Sequence, residues 1–278
     1  MERRRALRLG VAALATGGVG VATLTTAFKP DVNPAAEPEK LEAEEGGSSW
    51  NYTRLDPALT AELAYKNYPK GSCMYGVFSS VVEQLAEKIG EPFTSFPTQM
   101  MKYGHGGVNG SGTICGSLNG AAALIGLLAS GKAIQDSLMS ELFHIYESSP
   151  LPVFKPAIPA MDYTPPTSIA QSPLCHASNS RWGKETGLRV DSKERKERCR
   201  RLTADIAART VTVLNYYHEN AFVANAHDNE TERNCMSCHG TQGKLANTSG
   251  SMDCKSCHTE SLGHKLFGDA HYKFMKEN

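Results

Sequence analysis

Two short stretches carry residues in an order that few chemistries require. Cys235-Met236-Ser237-Cys238-His239 and Cys254-Lys255-Ser256-Cys257-His258 each place two thiols one helical turn apart, followed at once by an imidazole. Two thiols so spaced can add across the two vinyl groups of one porphyrin, and the next residue then stands under the iron as its proximal ligand. Fifteen residues separate Cys238 from Cys254, so the four thiols also satisfy a zinc-ribbon spacing. Zinc needs neither His, however, and with 9 His in 278 positions chance would place one after a given Cys only about 3% of the time. Disulfides leave the imidazoles equally unexplained. The sequence therefore predicts two covalently bound haem c groups, on Cys235 and Cys238 and on Cys254 and Cys257, with His239 and His258 as proximal ligands.

A sixth ligand must come from elsewhere. Met236, Met252 and Met275 lie nearby, but the surplus of His favours bis-His coordination, which gives low-potential haems. His271 and His264 follow the second motif, His218 lies on the apolar face of a long helix leading into the first, and His105 sits in a glycine-rich loop. These four are the candidate distal ligands. His227 is a weaker one, and His144 reads as structural.

The other four cysteines, Cys73, Cys115, Cys175 and Cys199, are spread over 127 residues with no Cys-x-x-Cys among them. Two disulfides, a shared iron–sulfur cluster and free thiols are all compatible with that spacing. A cluster would require the four to converge from distant segments, which composition cannot show.

The elements that must position these groups are mostly helical. Phe78, Val81, Val82, Leu85 and Ile89 recur at helical spacing before the stop at Gly90 and Pro92. Residues 104–112 form a glycine-rich loop, 114–130 a buried small-residue helix, and Ile134, Leu138, Leu142 and Ile145 mark a third helix. Seven prolines between 150 and 173 forbid helix and sheet interior, so that segment is an extended surface arm. Asp191 with Glu194 reads as a capping box opening a helix through Leu202, Ile206, Val213 and Tyr217 towards Ala221. The last 44 residues are polar, and a haem would supply the apolar core they lack. The glycine-rich loop offers backbone N–H groups to a phosphate, but no Lys-Ser/Thr follows as in a P-loop.

The charge balance excludes other classes. The 29 basic and 29 acidic side chains cancel, which argues against a nucleic-acid footprint. Residues 1–27 hold Arg3, Arg4, Arg5 and Arg8 against Glu2, so the remainder carries 25 basic and 28 acidic groups, a net of −3. That basic start runs into an uncharged apolar stretch, the pattern of a signal peptide resembling the twin-arginine type, and predicts export to the periplasm. Retention as an uncleaved anchor is the alternative; no later segment is apolar enough to span a membrane. The expected organisation is a signal peptide over 1–27, a flexible linker over 28–50, a helical redox domain over 51–222 and a dihaem module over 223–278. The fold class is mainly α: a helical cysteine-containing domain, then a small, haem-cored, loop-rich module.

Gly104-His105-Gly106-Gly107 and Gly112-Thr113-Ile114-Cys115-Gly116-Ser117-Leu118-Asn119-Gly120, with Cys73 upstream and Cys175 and Cys199 downstream, resemble a redox-active protein family. Its signature is one Cys, a Gly-Cys-small-x-x-Gly helix start and two further Cys; Ile114 replaces the glycine usual before the second Cys. Joined to the C-terminal haem motifs, the whole chain resembles the split-Soret cytochromes. That resemblance implies that Cys73, Cys115, Cys175 and Cys199 ligate an iron–sulfur centre of the [2Fe–2S] type. It also implies a homodimer with stacked, bis-His haem pairs, in which a ligand such as His105 comes from the partner chain. The function expected is single-electron transfer between redox proteins. The rivals are a haem oxidoreductase with an open coordination site for a small oxidant, and a thiol–disulfide sensor.

Overall fold

The computed structural model describes residues 49–224, 227, 230–256 and 258. The signal peptide, most of the linker, Cys257, His264 and His271 lie outside the described residues. Within them the chain is helical, and the only β contacts are two isolated antiparallel bridges, Ile114 with Leu174 and Leu151 with Ser168. The mainly α expectation holds.

Helix α1 (Pro57–Ile89) starts with Pro at its first position and Asp56 as cap, whose carboxylate accepts the Ala58 N–H at 2.8 Å. It is two helices in series, because Pro69 cannot donate to the Tyr65 carbonyl. Arg200 Nε donates to that carbonyl instead, at 2.7 Å. The chain leaves helical geometry at Gly71 and Ser72, where Ser72 has φ +65°, and the second limb begins at Cys73. This limb ends at Gly90, as its periodicity predicts; the first limb has no comparable sequence signature.

Helix α2 (Gly116–Leu128) lies so close to α1 and to the 3-10 turn Thr98–Gly104 that side chains are excluded at two places one turn apart. A Cβ on Gly116 would meet the Gly104 carbonyl oxygen at 2.1 Å, and one on Gly120 the Met74 oxygen at 2.8 Å. Its other face buries Leu118, Leu124, Ile125 and Leu128 completely. Helix α3 (Lys132–Ser148) buries Ile134, Leu138, Leu142 and Ile145, the predicted stripe.

The proline-rich segment is the expected arm. Paired N–H···O bonds between Leu151 and Ser168 close it into a loop, Asp205 accepts the Val153 N–H at 2.9 Å, and Trp182 Nε1 donates to Pro166 O at 3.0 Å. Helix α4 (Cys175–Thr186) follows, unpredicted because it buries only Cys175, Ser178 and Trp182. Helix α5 (Lys193–His218) is the predicted long helix, with a corrected start. Its cap is Ser192, whose hydroxyl accepts the Arg195 N–H at 3.1 Å; Asp191 instead forms an ion pair with Arg189. Helices α1, α2 and α5 enclose the core around Phe78, Leu85, Ile206, Val211 and Leu214. Beyond it stand the short α6 (Glu230–His239) and a 3-10 turn at Cys254–Ser256.

Candidate iron and haem sites

The four dispersed cysteines come together. Cys73 opens the second limb of α1, Cys115 is the residue capping α2, Cys175 is the first residue of α4, and Cys199 lies in the second turn of α5. All are free thiols and all are buried. The loops before α2 and α4 are clasped together: Cys115 N donates to Pro173 O, and Cys175 N to Thr113 O, both at 2.8 Å. Gly112 permits this approach, since its φ is +77° and a Cβ there would stand 3.0 Å from that of His176. The glycine-rich loop spends its own N–H groups internally, Gly110 on His105 O and Gly112 on Gly106 O among them, so it builds the thiol site and not a phosphate cradle.

The thiols form two pairs. Cys73 and Cys115 hydrogen-bond to each other. Asn179 bridges the others, its Nδ2 donating to Cys175 Sγ at 3.2 Å while its Oδ1 accepts from Cys199 Sγ at 3.4 Å. Among the described residues no three His, Cys, Asp or Glu side chains surround one point closely enough to hold a single metal ion. The four thiols thus stand as two pairs.

Their surroundings act on the thiols unequally. Three helices present their N-terminal ends at Cys73, Cys115 and Cys175, and the partial positive charge there stabilises thiolate. The bond from Cys73, with further donors from Tyr146 and the Ser117 N–H, brings Cys115 down to about 6 against the opposing effect of burial. The same shared bond and burial push Cys73 well up, and burial pushes Cys175 up to about 12. Arg195 Nη1 stands 4.0 Å from Cys199 Sγ, and Arg198 lies buried beside it. Four thiols gathered in this way are candidate ligands for iron. Asn179, Tyr146, Arg195 and Arg198 were missed from the sequence; only the Arg195 to Cys199 spacing of four on a helix offered a signal.

The first haem motif lies on α6, which sets Cys235 and Cys238 on one face a turn apart. His239 Nδ1 is 3.0 Å from Asn247 Oδ1, and Asn247 N and Thr248 N both bond the His239 carbonyl. A ring that donates from Nδ1 carries its ligating lone pair on Nε2, so this residue suits a proximal role. In the second motif His258 N donates to Cys254 O at 2.8 Å, and the ring is exposed. The Cys254 thiol donates to the Met252 carbonyl at 3.7 Å, and burial, with Cys235 close by, raises its pKa.

The candidate distal residues differ in state. His218 is stacked on Tyr52 at 4.4 Å and met edge-on by Tyr217. Burial lowers its pKa against the opposing effect of the Leu128 backbone, and its buried Nε2 has no hydrogen-bond partner among the described residues. A neutral ring with an orphaned Nε2 is what an axial ligand looks like before its metal. His105 is exposed, with Nε2 3.2 Å from Asn109 Oδ1. His227 is held by Glu141 at 2.7 Å and stacked on His144, whose structural reading fits.

A helical body that gathers four thiols, followed by a Cys-x-x-Cys-His helix, defines a c-type cytochrome joined to a cysteine-based redox domain. Residues 75–213 match the redox-active protein family with the signature C_GCAxxG_C_C. The split-Soret cytochrome c of Desulfovibrio desulfuricans ATCC 27774 is 36% identical over 265 residues, covering 92% of this chain and 94% of that protein. A solved structure described as a novel iron centre in that cytochrome superposes with a TM-score of 0.72, covering 78% of this chain and 92% of the other. The chain belongs to the split-Soret cytochrome c family, and it is a haem cytochrome of electron transfer.

One expectation is overturned. The cofactor set of two haems with a [2Fe–2S] cluster is not upheld: the comparisons support a c-type haem cytochrome, and the relative's structure is described as holding a novel iron centre.

Proposed function

We propose that this chain is an exported single-electron carrier. In it Cys73, Cys115, Cys175 and Cys199 hold a thiolate-ligated iron centre, while Cys235, Cys238 and His239 carry haem c. The observation that supports it most is the meeting of three helix N-termini at buried thiols paired through a hydrogen bond and through Asn179. Haem, when bound, supplies a one-electron iron couple; the chain supplies attachment, axial nitrogen and a dry setting. His218 is the proposed distal ligand, on the strength of its unpartnered Nε2. The basic, then apolar start of the sequence supports export to the periplasm, and among the described residues no helix is long and apolar enough to cross a membrane. The resemblance supports a homodimer, to be checked by sedimentation of the holoprotein.

The test is the ratio of total iron to covalent haem in protein isolated anaerobically. More iron than haem is expected, the excess vanishing in Cys115→Ser while covalent haem stays. Equal amounts would overturn the iron-centre reading. For the axial ligand, His218→Ala should let ferrous protein bind carbon monoxide promptly, and an unchanged spectrum would remove His218 from that role.

A further inference from the structure

Helix α5 buries two arginines three residues apart, and they differ in what neutralises them. Arg201 forms an ion pair with Glu197 at 2.8 Å, inside the protein. Arg198, 1% exposed, forms no ion pair with a carboxylate among the described residues. Its Nη2 donates to Ser178 Oγ at 2.8 Å and reaches Ser168 Oγ at 3.5 Å, and its Nε has no partner. The groups whose charge acts on it are the thiol of Cys199, its neighbour on the helix, the thiol of Cys115 and the phenol of Tyr146. Asp205 feels Arg198 only as the last of its influences, behind burial, two backbone donors and Arg209. A guanidinium stays charged at any pH the protein meets, and burying one without a counter-charge is strongly disfavoured. Here the negative charge available to balance it is on sulfur.

We propose that Arg198 is a positioning residue of the four-cysteine iron centre: its fixed charge compensates the thiolates of Cys199 and Cys115 and holds the centre's reduction potential up. This rests on the reading that those cysteines hold iron. Reduction adds one electron from the redox partner, makes or breaks no bond, and leaves the centre one unit more negative. A permanent cation against the ligands stabilises that more negative state, and does so strongly because the interior screens poorly. Ser178 aims the guanidinium and Asn179, one residue on, joins the second thiol pair, so α4 serves both the charge and the ligands.

The experiment is a dithionite titration of the anaerobic full-length holoprotein, followed optically and by electron paramagnetic resonance, with the haem as internal reference. Arg198→Met removes the charge at similar length; Arg198→Lys keeps it; Ser178→Ala loosens its aim. Arg198→Met should weaken reduction of the non-haem centre tenfold or more, which for one electron is about 59 mV. Arg198→Lys should retain most of the wild-type potential, Ser178→Ala should fall between, and the haem potential should not move. Equal potentials in wild type and Arg198→Met overturn the inference, as does Arg198→Lys shifting as far as Met. Should Arg198→Met not fold, the Lys and Ser178→Ala variants decide alone: a shift in Ser178→Ala larger than in Lys supports the inference, and no shift in either overturns it. A wild type with no non-haem signal overturns the four-cysteine reading itself, and this inference with it.

Discussion

The helical body and the segment that follows it solve the problem of holding a redox group in opposite ways. The body buries its own core between α1, α2 and α5, and its four dispersed thiols, the proposed iron ligands, are buried with it. Around α6 the thiol of Cys238 is exposed, and from 241 to 252 every residue but Gly243 is exposed. One region prepares a site by tertiary packing; the other presents attachment groups on a short helix and leaves the apolar surface to the cofactor. A ligand set drawn from four distant elements needs a preformed fold, because closing such loops has to be offset by packing. A set contained in five consecutive residues needs only one helical turn.

The largest effect that would sharpen this contrast is in Cys235→Ala with Cys238→Ala. All covalent haem at that motif should be lost, seen as a missing haem band after denaturing electrophoresis, while the far-ultraviolet helix signal and the unfolding of the body persist. Coupled collapse of both regions would break the distinction.

Next comes a pH effect confined to the body. Burial pushes the Asp205 carboxyl up from 3.8 to about 7, against the donors Val153 and Phe154 and the charge of Arg209. The folded state then holds a proton that the unfolded chain releases near pH 4. Stability is therefore greatest at acid pH with respect to this group and falls as pH rises through that window, by roughly 2–4 kcal/mol. Denaturant unfolding between pH 4 and 7 should show this fall, and Asp205→Asn should flatten it.

Gly116→Ala should destabilise the body by about 2–3 kcal/mol, because its Cβ would strike the Gly104 carbonyl at 2.1 Å and push α2 from the 3-10 turn Thr98–Gly104. Thermal unfolding measures that loss, and the excess iron should fall with it. The smallest effect is expected at His105: replacing this exposed ring by Ala should change stability by less than about 0.5 kcal/mol. If it also opened the haem to carbon monoxide, His105 would displace His218 as axial ligand.

Much of this was legible in the residues. The haem attachment order, the stripes of α3 and the second limb of α1, the buried α2 and the proline arm are all local patterns, and local patterns repeat with the period of the element they form. The start of α5 was displaced by one residue because Asp191 and Ser192 are both good caps, and Asp191 is drawn off by Arg189. Helix α4 was missed because only three of its residues are buried, too few to set up a period.

What the sequence by itself determined is therefore chemistry held within a few residues: the thiol and imidazole order, the helical faces, the signal-like start. Only the tertiary structure decided that Cys73, Cys115, Cys175 and Cys199 meet in two pairs, that Asn179 and Arg198 stand among them, and that His218 keeps an unpartnered Nε2. Those are contacts between elements up to 126 positions apart, between Cys73 and Cys199. They follow from how helices pack, through glycines at Gly116 and Gly120 and a break at Pro69, and no local period encodes them.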